Sequence, residues 1–469
     1  MDEEFEFDSP EEQKLSVDRY EEMLRNDDQY FFDARILDGI IDYYIEKNDP
    51  VKALEVVDFA VNQHAFDTGF LIKKTELLIS MIKLEEALFI INKAELLEPS
   101  EPLVYLLKGT IYAALKDLEE AEKYFHIALD LSDDKEDIYY QLSNLYQFQR
   151  DYKKAISYLK KTLKVNKDHE DALYDIFFCY EILEQIEEGI LFFKSYIDNN
   201  PYSYEAWYNL GNSYHKLEKF EEAIDAYDYA ILIQENFSSA YFNKGNALVN
   251  LDRFNEAIAV YKHTFEFEPP NADTYCALGE CYEKLEDMEE ARKYYKKAVK
   301  LDQYLADAWF GIGVTLDSEE RHFESLHFYK KALDIDPINP DYWFAIADAR
   351  YKLRQIEEAE LAYAKVVEFN PTDVDAWLDF SSIYFEQNKY EEAIHTISEG
   401  IKCNPDAAEL YYRMVAYLFA NGQYNEALNF LELALTTDPS KHTILFDYLP
   451  QLQGNQIIVD IIKKYAPKG

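Results

Sequence analysis

The chain has little of what most enzymes and membrane proteins require. It holds four cysteines in 469 residues, Cys179, Cys276, Cys281 and Cys403, with no framework spacing. That excludes a disulfide scaffold and fits a reducing cytoplasm. No apolar run approaches the roughly 18 residues of a membrane helix, so no membrane insertion is expected. The start, MDEEFEFDSPEE, lacks the basic and apolar regions of a secretory signal. Positive charge is scarce: 47 Lys and Arg stand against 91 Asp and Glu, a formal net charge of −44. Nucleic acid and anionic membranes are therefore excluded as expected partners, and basic proteins or peptides are favoured.

Chemistry-bearing motifs are absent too. The one close glycine pair, Gly311-x-Gly313, falls inside a helical pattern, which leaves no loop to cradle phosphate. His322 and His327 are five residues apart, not the four of a one-face metal pair, and no HExxH occurs. Cys276 and Cys281 read as packing thiols. No nucleophile elbow appears. No catalytic residue, metal or cofactor is expected, and the chain is not expected to be an enzyme.

What is there is a period. Ala53, Ala87, Ala121, Ala155, Gly189, Ala223, Ala257, Ala291, Ser325, Ala359, Ala393 and Ala427 follow one another at intervals of 34 without an insertion. A fixed period in this range means a stacked array with neighbour-only contacts. Taking this small residue as position 20, twelve repeats run from 34–67 to 408–441. Each repeat has two apolar runs at helical spacing, as in Trp207, Leu210, Gly211, Tyr214 and then Phe220, Ala223, Tyr227, Ala230. These predict two amphipathic helices joined by a break short enough only for an antiparallel hairpin.

The residue types locate contacts. Position 8 is small in eight repeats, including Gly109, Gly211, Gly245, Gly279 and Gly313. Glycine inside a helix costs up to about 1 kcal/mol against alanine, so repeating it marks a place where a side chain does not fit. The small position 20 is expected to face it. All four tryptophans, Trp207, Trp309, Trp343 and Trp377, take position 4, and Pro takes position 32 in seven repeats. Pro ends the second helix. Glu-Glu pairs at positions 18–19, such as Glu221–Glu222, open second helices, and lysines gather near their ends. This arrangement complements the helix dipole and accounts for part of the charge.

The pattern Trp207, Leu210, Gly211, Tyr214, Ala223, Tyr227, Ala230 resembles the tetratricopeptide repeat family, with the family's Pro missing at Glu235 but present at Pro269. The resemblance covers residues 34–441. It implies an all-α, right-handed superhelical α-solenoid acting as a protein-interaction scaffold. It also implies that positions 2, 5, 6, 9, 12 and 13 of the first helix line a concave groove.

That groove defines the expected site. An asparagine set, Asn209 and Asn243 at position 6, Asn212 and Asn246 at position 9 and Asn250 at position 13, offers paired donors and acceptors to an extended peptide backbone. Aromatic residues at position 5, Tyr208, Phe242, Phe310, Phe344 and Tyr412 among them, stand beside acids at position 2. Such pairs suit basic side chains with apolar stems, although acid in a first turn is equally a dipole effect. His215 and Glu280 complete the expected peptide-binding set. The resemblance also argues against one ligand class. Family members that clamp chaperone C-terminal carboxylates carry bases at positions 2, 5 and 6 of consecutive repeats. Here only Arg35, Lys73 and Arg413 are basic at those positions, and they lie in separate repeats.

The remaining segments are assigned by composition. Residues 1–10 are expected to be a disordered acidic tail or a docking motif. Residues 11–33 are expected to be a capping helix and linker, and residues 442–469 two capping helices around Pro450 and Gly454. Lys153, Lys154, Lys160, Lys161, Lys164 and Lys167 form one basic island, read as an exposed outer helix face or a contact for an acidic surface. The function expected is an adaptor for a protein or extended basic peptide. The alternatives are a non-catalytic subunit or substrate-recruiting arm of an enzyme complex, or a self-associating structural protein.

Overall fold

The structure is a computed structural model that describes residues 10–26 and 28–465. The acidic stretch 1–9 lies outside the described residues. The described residues are helical, without strands, and divide into two compact units, Met1–Glu235 and Asn236–Gly469.

In each unit the helices come in antiparallel pairs that stack as an α-solenoid. The repeat 204–237 pairs Tyr204–Lys216 with Phe220–Ile233, and the repeat 272–305 pairs Ala272–Lys284 with Met288–Leu301. The first unit opens with a helix at Pro10–Asn26, whose Val17, Tyr20 and Met23 are buried against Phe32, Leu37 and Ile40.

The turn inside each pair is the same backbone device throughout. Position 15 has a positive φ in every repeat, from Asn48 to Asn388, and Gly422 is the one glycine among them. In the repeat 136–169 Arg150 N–H donates to Gln147 O at 2.9 Å and Asp151 N–H to Tyr146 O at 2.8 Å. This left-handed cap closes the first helix and turns the chain directly into the second. Asp at position 16 caps the second helix where it occurs, as Asp151 does through Lys154 N–H at 3.2 Å.

Position 20 is buried completely, and the space beside position 8 is taken by a ring. A Cβ added to Gly211 would lie 2.5 Å from the Tyr227 ring, and one on Gly245 would lie 2.3 Å from the Tyr261 ring. The glycine at position 8 leaves room for the aromatic ring at position 24 of its own repeat. Gly109 does the same for Phe125, Gly279 for Tyr295 and Gly313 for Tyr329.

In six repeats position 4 stitches the repeat to the one before it. Trp207 Nε1 donates to Pro201 O at 3.0 Å, Trp309 to Gln303 O at 2.9 Å, and Trp343 and Trp377 to Pro337 O and Pro371 O at 2.9 Å. Tyr105 and Tyr411 reach the equivalent carbonyls, Pro99 O and Pro405 O, through their hydroxyls. Each aromatic group covers part or all of its ring and still satisfies its one polar hydrogen.

Lysines serve the packing as well as the surface. Lys161, Lys297 and Lys331, all at position 26, hold their ammonium groups 5.5, 5.0 and 4.0 Å from the rings at position 4, Tyr139, Tyr275 and Trp309. At position 25, Lys160 donates to Tyr180 OH at 3.0 Å and Lys262 to Tyr282 OH at 2.7 Å, each on the following repeat. Lys160 and Lys161 of the basic island are thus engaged with tyrosines of their own and the next repeat.

Two irregularities occur in the second unit. The second helix of the repeat 238–271, Phe254–His263, passes into a 3-10 turn at Thr264–Glu266. Pro269 and Pro270 follow at once, and residues before proline avoid the α conformation. At the C-terminal end the first of the two expected helices is cut short. Thr443–Tyr448 is α-helical, Pro450–Gly454 is a 3-10 turn, and Gln456–Tyr465 resumes the helix. Pro450 can neither donate to the ladder nor leave Leu449 in a helical conformation. This segment covers the last repeat: Leu445 and Ile458 are fully buried, and Arg413 stacks 3.5 Å from the Tyr448 ring.

Candidate functional site

The expected site residues fall in both units and are described unit by unit. In the first unit, Tyr208, Asn209, Asn212 and His215 share the helix Tyr204–Lys216. Asn209 is only 2% exposed, and its Nδ2 donates to Glu205 O one turn back at 2.9 Å. A backbone-pairing role at the surface is therefore not open to it. Helix geometry puts position 6 at the edge of the face, where the packing of neighbouring helices closes over it. Asn212 is half-buried, and its Oδ1 accepts from Tyr227 OH at 2.9 Å. The Tyr208 ring leans on the same tyrosine at 5.9 Å. His215 packs edge-on to Phe220 at 5.2 Å, and burial, reinforced by the charge of Lys216, lowers its pKa.

The second unit repeats this logic. Asn246 Oδ1 accepts from Tyr261 OH at 2.6 Å, and Asn250 Nδ2 donates to Asn246 O at 2.9 Å. Asn243 is half-buried beside them on Ser238–Asn250. The position-5 rings rest on the position-24 rings: Phe242 on Tyr261 at 5.6 Å, Phe310 on Tyr329 at 5.4 Å and Phe344 on Tyr363 at 5.6 Å. Tyr412, expected in the same row, is instead fully buried and donates to Asp438 O at 2.9 Å. The C-terminal segment lies over it. The asparagine set therefore splits: at position 9 it serves the phenols of the core, and the aromatic row is half core, half surface.

The first helices of the second unit also carry carboxylates. Glu280 and Glu283 project from Ala272–Lys284, and Asp379 from Val374–Glu386. All three have pKa values raised, first by desolvation. Asp307 adds to the effect at Glu280, and Asp375 and Asp348 at Asp379. Glu280 and Asp379 are exposed side chains with like charges near them, and at Asp379 the neighbouring Arg413 works against the rise. Glu280 accepts only from the Cys276 thiol, and Glu283 from Tyr295 OH at 2.8 Å. Neither has an ion-pair partner among the described residues. Asp317 and Asp348 differ, since Lys352 bridges them at 2.8 and 2.7 Å. Glu283 and Asp379 were not singled out in the sequence. The signal was available, because both occupy positions 12 and 6 of the first helix, but glutamate and aspartate are too common in this chain to stand out.

Other chemistry is not assembled. Cys179, Cys276 and Cys281 are buried, and burial pushes the Cys179 and Cys281 thiols up to about 12, so they carry no thiolate at neutral pH. Among the described residues no group of three or more His, Cys, Asp or Glu is placed to hold a metal ion. Nor is any described helix long and apolar enough to cross a membrane. Of the sparse first-helix bases, Lys73 is held by Asp38 and Asp42 at 2.5 and 2.8 Å, and Arg413 is buried.

Comparison with known families agrees with the period. Patterns described as tetratricopeptide repeat match residues 101–168, 204–237, 238–271, 272–304 and 306–339. A pattern described as anaphase-promoting complex, cyclosome, subunit 3 matches residues 352–434. No curated protein matches the sequence. Among solved structures, the APC/C hetero-tetramer Cut9-Hcn1 is similar over 89% of this chain and 93% of that one, at 14% identity and a TM-score of 0.43. YrrB, described as a TPR protein with an unusual peptide-binding site, is similar over 39% of this chain and 95% of that one, at 24% identity and a TM-score of 0.33. MamA is similar over 36% and 92%, at 21% identity and a TM-score of 0.33.

Proposed function

The chain belongs to the tetratricopeptide-repeat family, and from that premise we propose that it is a non-catalytic protein-interaction scaffold whose second unit receives an extended, basic segment of a partner protein. One observation carries the choice of a basic ligand. Glu280, Glu283 and Asp379, on first helices of the unit that also carries Phe310 and Phe344, are held above their ordinary pKa, and the two glutamates lack an internal ion-pair partner among the described residues. An arriving lysine or arginine supplies the missing charge, and the half-buried rings receive its apolar stem. The formal charge of −44 speeds encounter with such a partner and makes it salt-dependent. In the first unit, Tyr208, Asn212 and His215 form the corresponding face. Asn243 and Asn250 remain the candidates for backbone pairing in the second.

The test compares a fluorescent decapeptide of alternating lysine and glycine with its glutamate counterpart, by anisotropy at low and high salt. The lysine peptide is expected to bind, and the triple change Glu280→Gln, Glu283→Gln, Asp379→Asn to weaken it at least about tenfold. Equal binding of both peptides, or an indifferent triple variant, would overturn the reading. A second reading, a subunit of a larger multi-protein assembly, is favoured by the subunit-type pattern over residues 352–434. It gives a stable complex on co-purification rather than a salt-sensitive one.

A further inference from the structure

A second site lies away from these first-helix faces. In the first unit a cavity of about 370 Å³ opens between the helices Ile186–Asn199, Tyr204–Lys216 and Phe220–Ile233. Three rings, Trp207, Tyr214 and Tyr229, and three carboxylates, Asp198, Glu222 and Asp225, line it. Trp207 and Tyr214 occupy positions 4 and 11, on the far side of their helix from Asn212 and about a quarter turn from His215. This cavity therefore faces the second helices and needs nothing from the proposed groove.

The repeat pattern shows what the cavity lacks. In three other repeats the ring at position 4 carries an ammonium group from position 26 of the same repeat: Lys161 on Tyr139, Lys297 on Tyr275 and Lys331 on Trp309. In the repeat 204–237 position 26 is Tyr229, which stacks on Trp207 at 4.4 Å and is half exposed. The internal cation has been exchanged for a third ring, and acids surround it. Asp198, Glu222 and Asp225 have no ion-pair partner among the described residues. The one lysine at the cavity, Lys194, sits 5.5 Å from the Tyr214 ring. It stands at position 25 and lies over a ring of the next repeat, as Lys160 and Lys262 lie over Tyr180 and Tyr282 at 5.5 and 5.2 Å. It is accounted for by packing.

We propose that this cavity is a receptor for a single cationic side chain, an arginine or lysine of a partner protein, held between the stacked Trp207–Tyr229 pair, the Tyr214 ring and the carboxylates. The rings hold the apolar stem and the cation face, and the carboxylates neutralise the charge. Aromatic rings with flanking acids discriminate against a neutral side chain of the same shape, because only the cation gains from both.

The test uses the full chain and two small probes, N-acetyl-arginine methylamide and its neutral isostere N-acetyl-citrulline methylamide. The readout is the indole N–H resonance of Trp207, assigned by its loss in Trp207→Phe. Saturable shifts are expected with the arginine probe, at an affinity about tenfold above that of the citrulline probe. Tyr229→Lys, which restores the repeat's own cation, should abolish the response. Glu222→Gln with Asp225→Asn, both exposed and harmless to the fold, should weaken it several-fold. The triple variant of the proposed groove should respond like the parent. Equal response to the two probes, no saturable response, or full binding by Tyr229→Lys each overturns the proposal. A response abolished only in the groove variant overturns it while leaving the groove reading standing.

Discussion

Gly311→Ala offers the sharpest test of how these repeats pack. On helix propensity alone the change stabilises by about 0.8–1 kcal/mol. The structure reverses the sign. A Cβ at residue 311 would lie 2.3 Å from Cζ of Tyr295, in the preceding repeat. Ordinary carbon contacts are about 3.5–4.0 Å, so the ring must retreat by more than an ångström. Its retreat is limited, because its other face lies so close to the Gly279 backbone that a Cβ there would be 2.7 Å away. The phenol is also tied to Glu283 at 2.8 Å, and the residue is only 2% exposed. Overpacking of this kind costs about 1–3 kcal/mol, and a ring clamped on both faces belongs at the upper end. Net destabilisation of about 1–2 kcal/mol follows after the propensity gain. In a Tyr295→Leu background the obstacle is gone, and the same alanine should be neutral or stabilising by up to about 1 kcal/mol. The coupling between the two sites is then about 1–3 kcal/mol. Urea denaturation of the four proteins measures it, with hydrogen exchange on helices Ala272–Lys284 and Ala306–Asp317 to localise the effect, since arrays open repeat by repeat. An alanine that stabilises equally in both backgrounds would refute the clamp.

Two further outcomes are expected. Ile82, a β-branched residue at φ 60° and 80% exposed, should be better as glycine: removing a left-handed penalty of about 1–2 kcal/mol outweighs the chain entropy of about 0.5–1 kcal/mol that glycine adds. A lower melting temperature for Ile82→Gly would contradict the left-handed cap at position 15. Glu280 and Glu283 have folded pKa values above the ordinary 4.5, so protonation favours the native state. Their stabilising contribution is complete below that value and is lost as pH rises through the raised ones. Glu280→Gln with Glu283→Gln should therefore melt about 2 °C higher at pH 7 and gain less than the parent on acidification towards pH 5. Identical pH slopes for the two proteins would remove the like-charge account of this face.

The helices were legible because one period governs them. Twelve small residues in register, a tryptophan at position 4 and a proline at position 32 are enough to place helix pairs and their ends. What escaped was every contact between residues that the period does not align. Gly211 announces a missing side chain, but only the fold shows that the Tyr227 ring, not Ala223, fills the space. The asparagines at position 9 look like ligand donors until Tyr227 and Tyr261 are seen to use them. Asn209 and Tyr412 occupy groove positions by number and are covered by packing. The substitution of Tyr229 for a lysine is visible in the alignment of repeats, but it acquires meaning only once Lys161, Lys297 and Lys331 are found over their rings.

The stitches at position 4 bear on how such a chain yields to force. Each indole or phenol grips a carbonyl in the loop that precedes its own repeat, so tension along the backbone reaches a side-chain anchor before it reaches the next hairpin. Where Trp309, Trp343 and Trp377 follow one another, pulling would meet a series of equal catches. On this geometry a catch that yields releases one repeat, so the stitches mark out the unit in which such a stretch would lengthen.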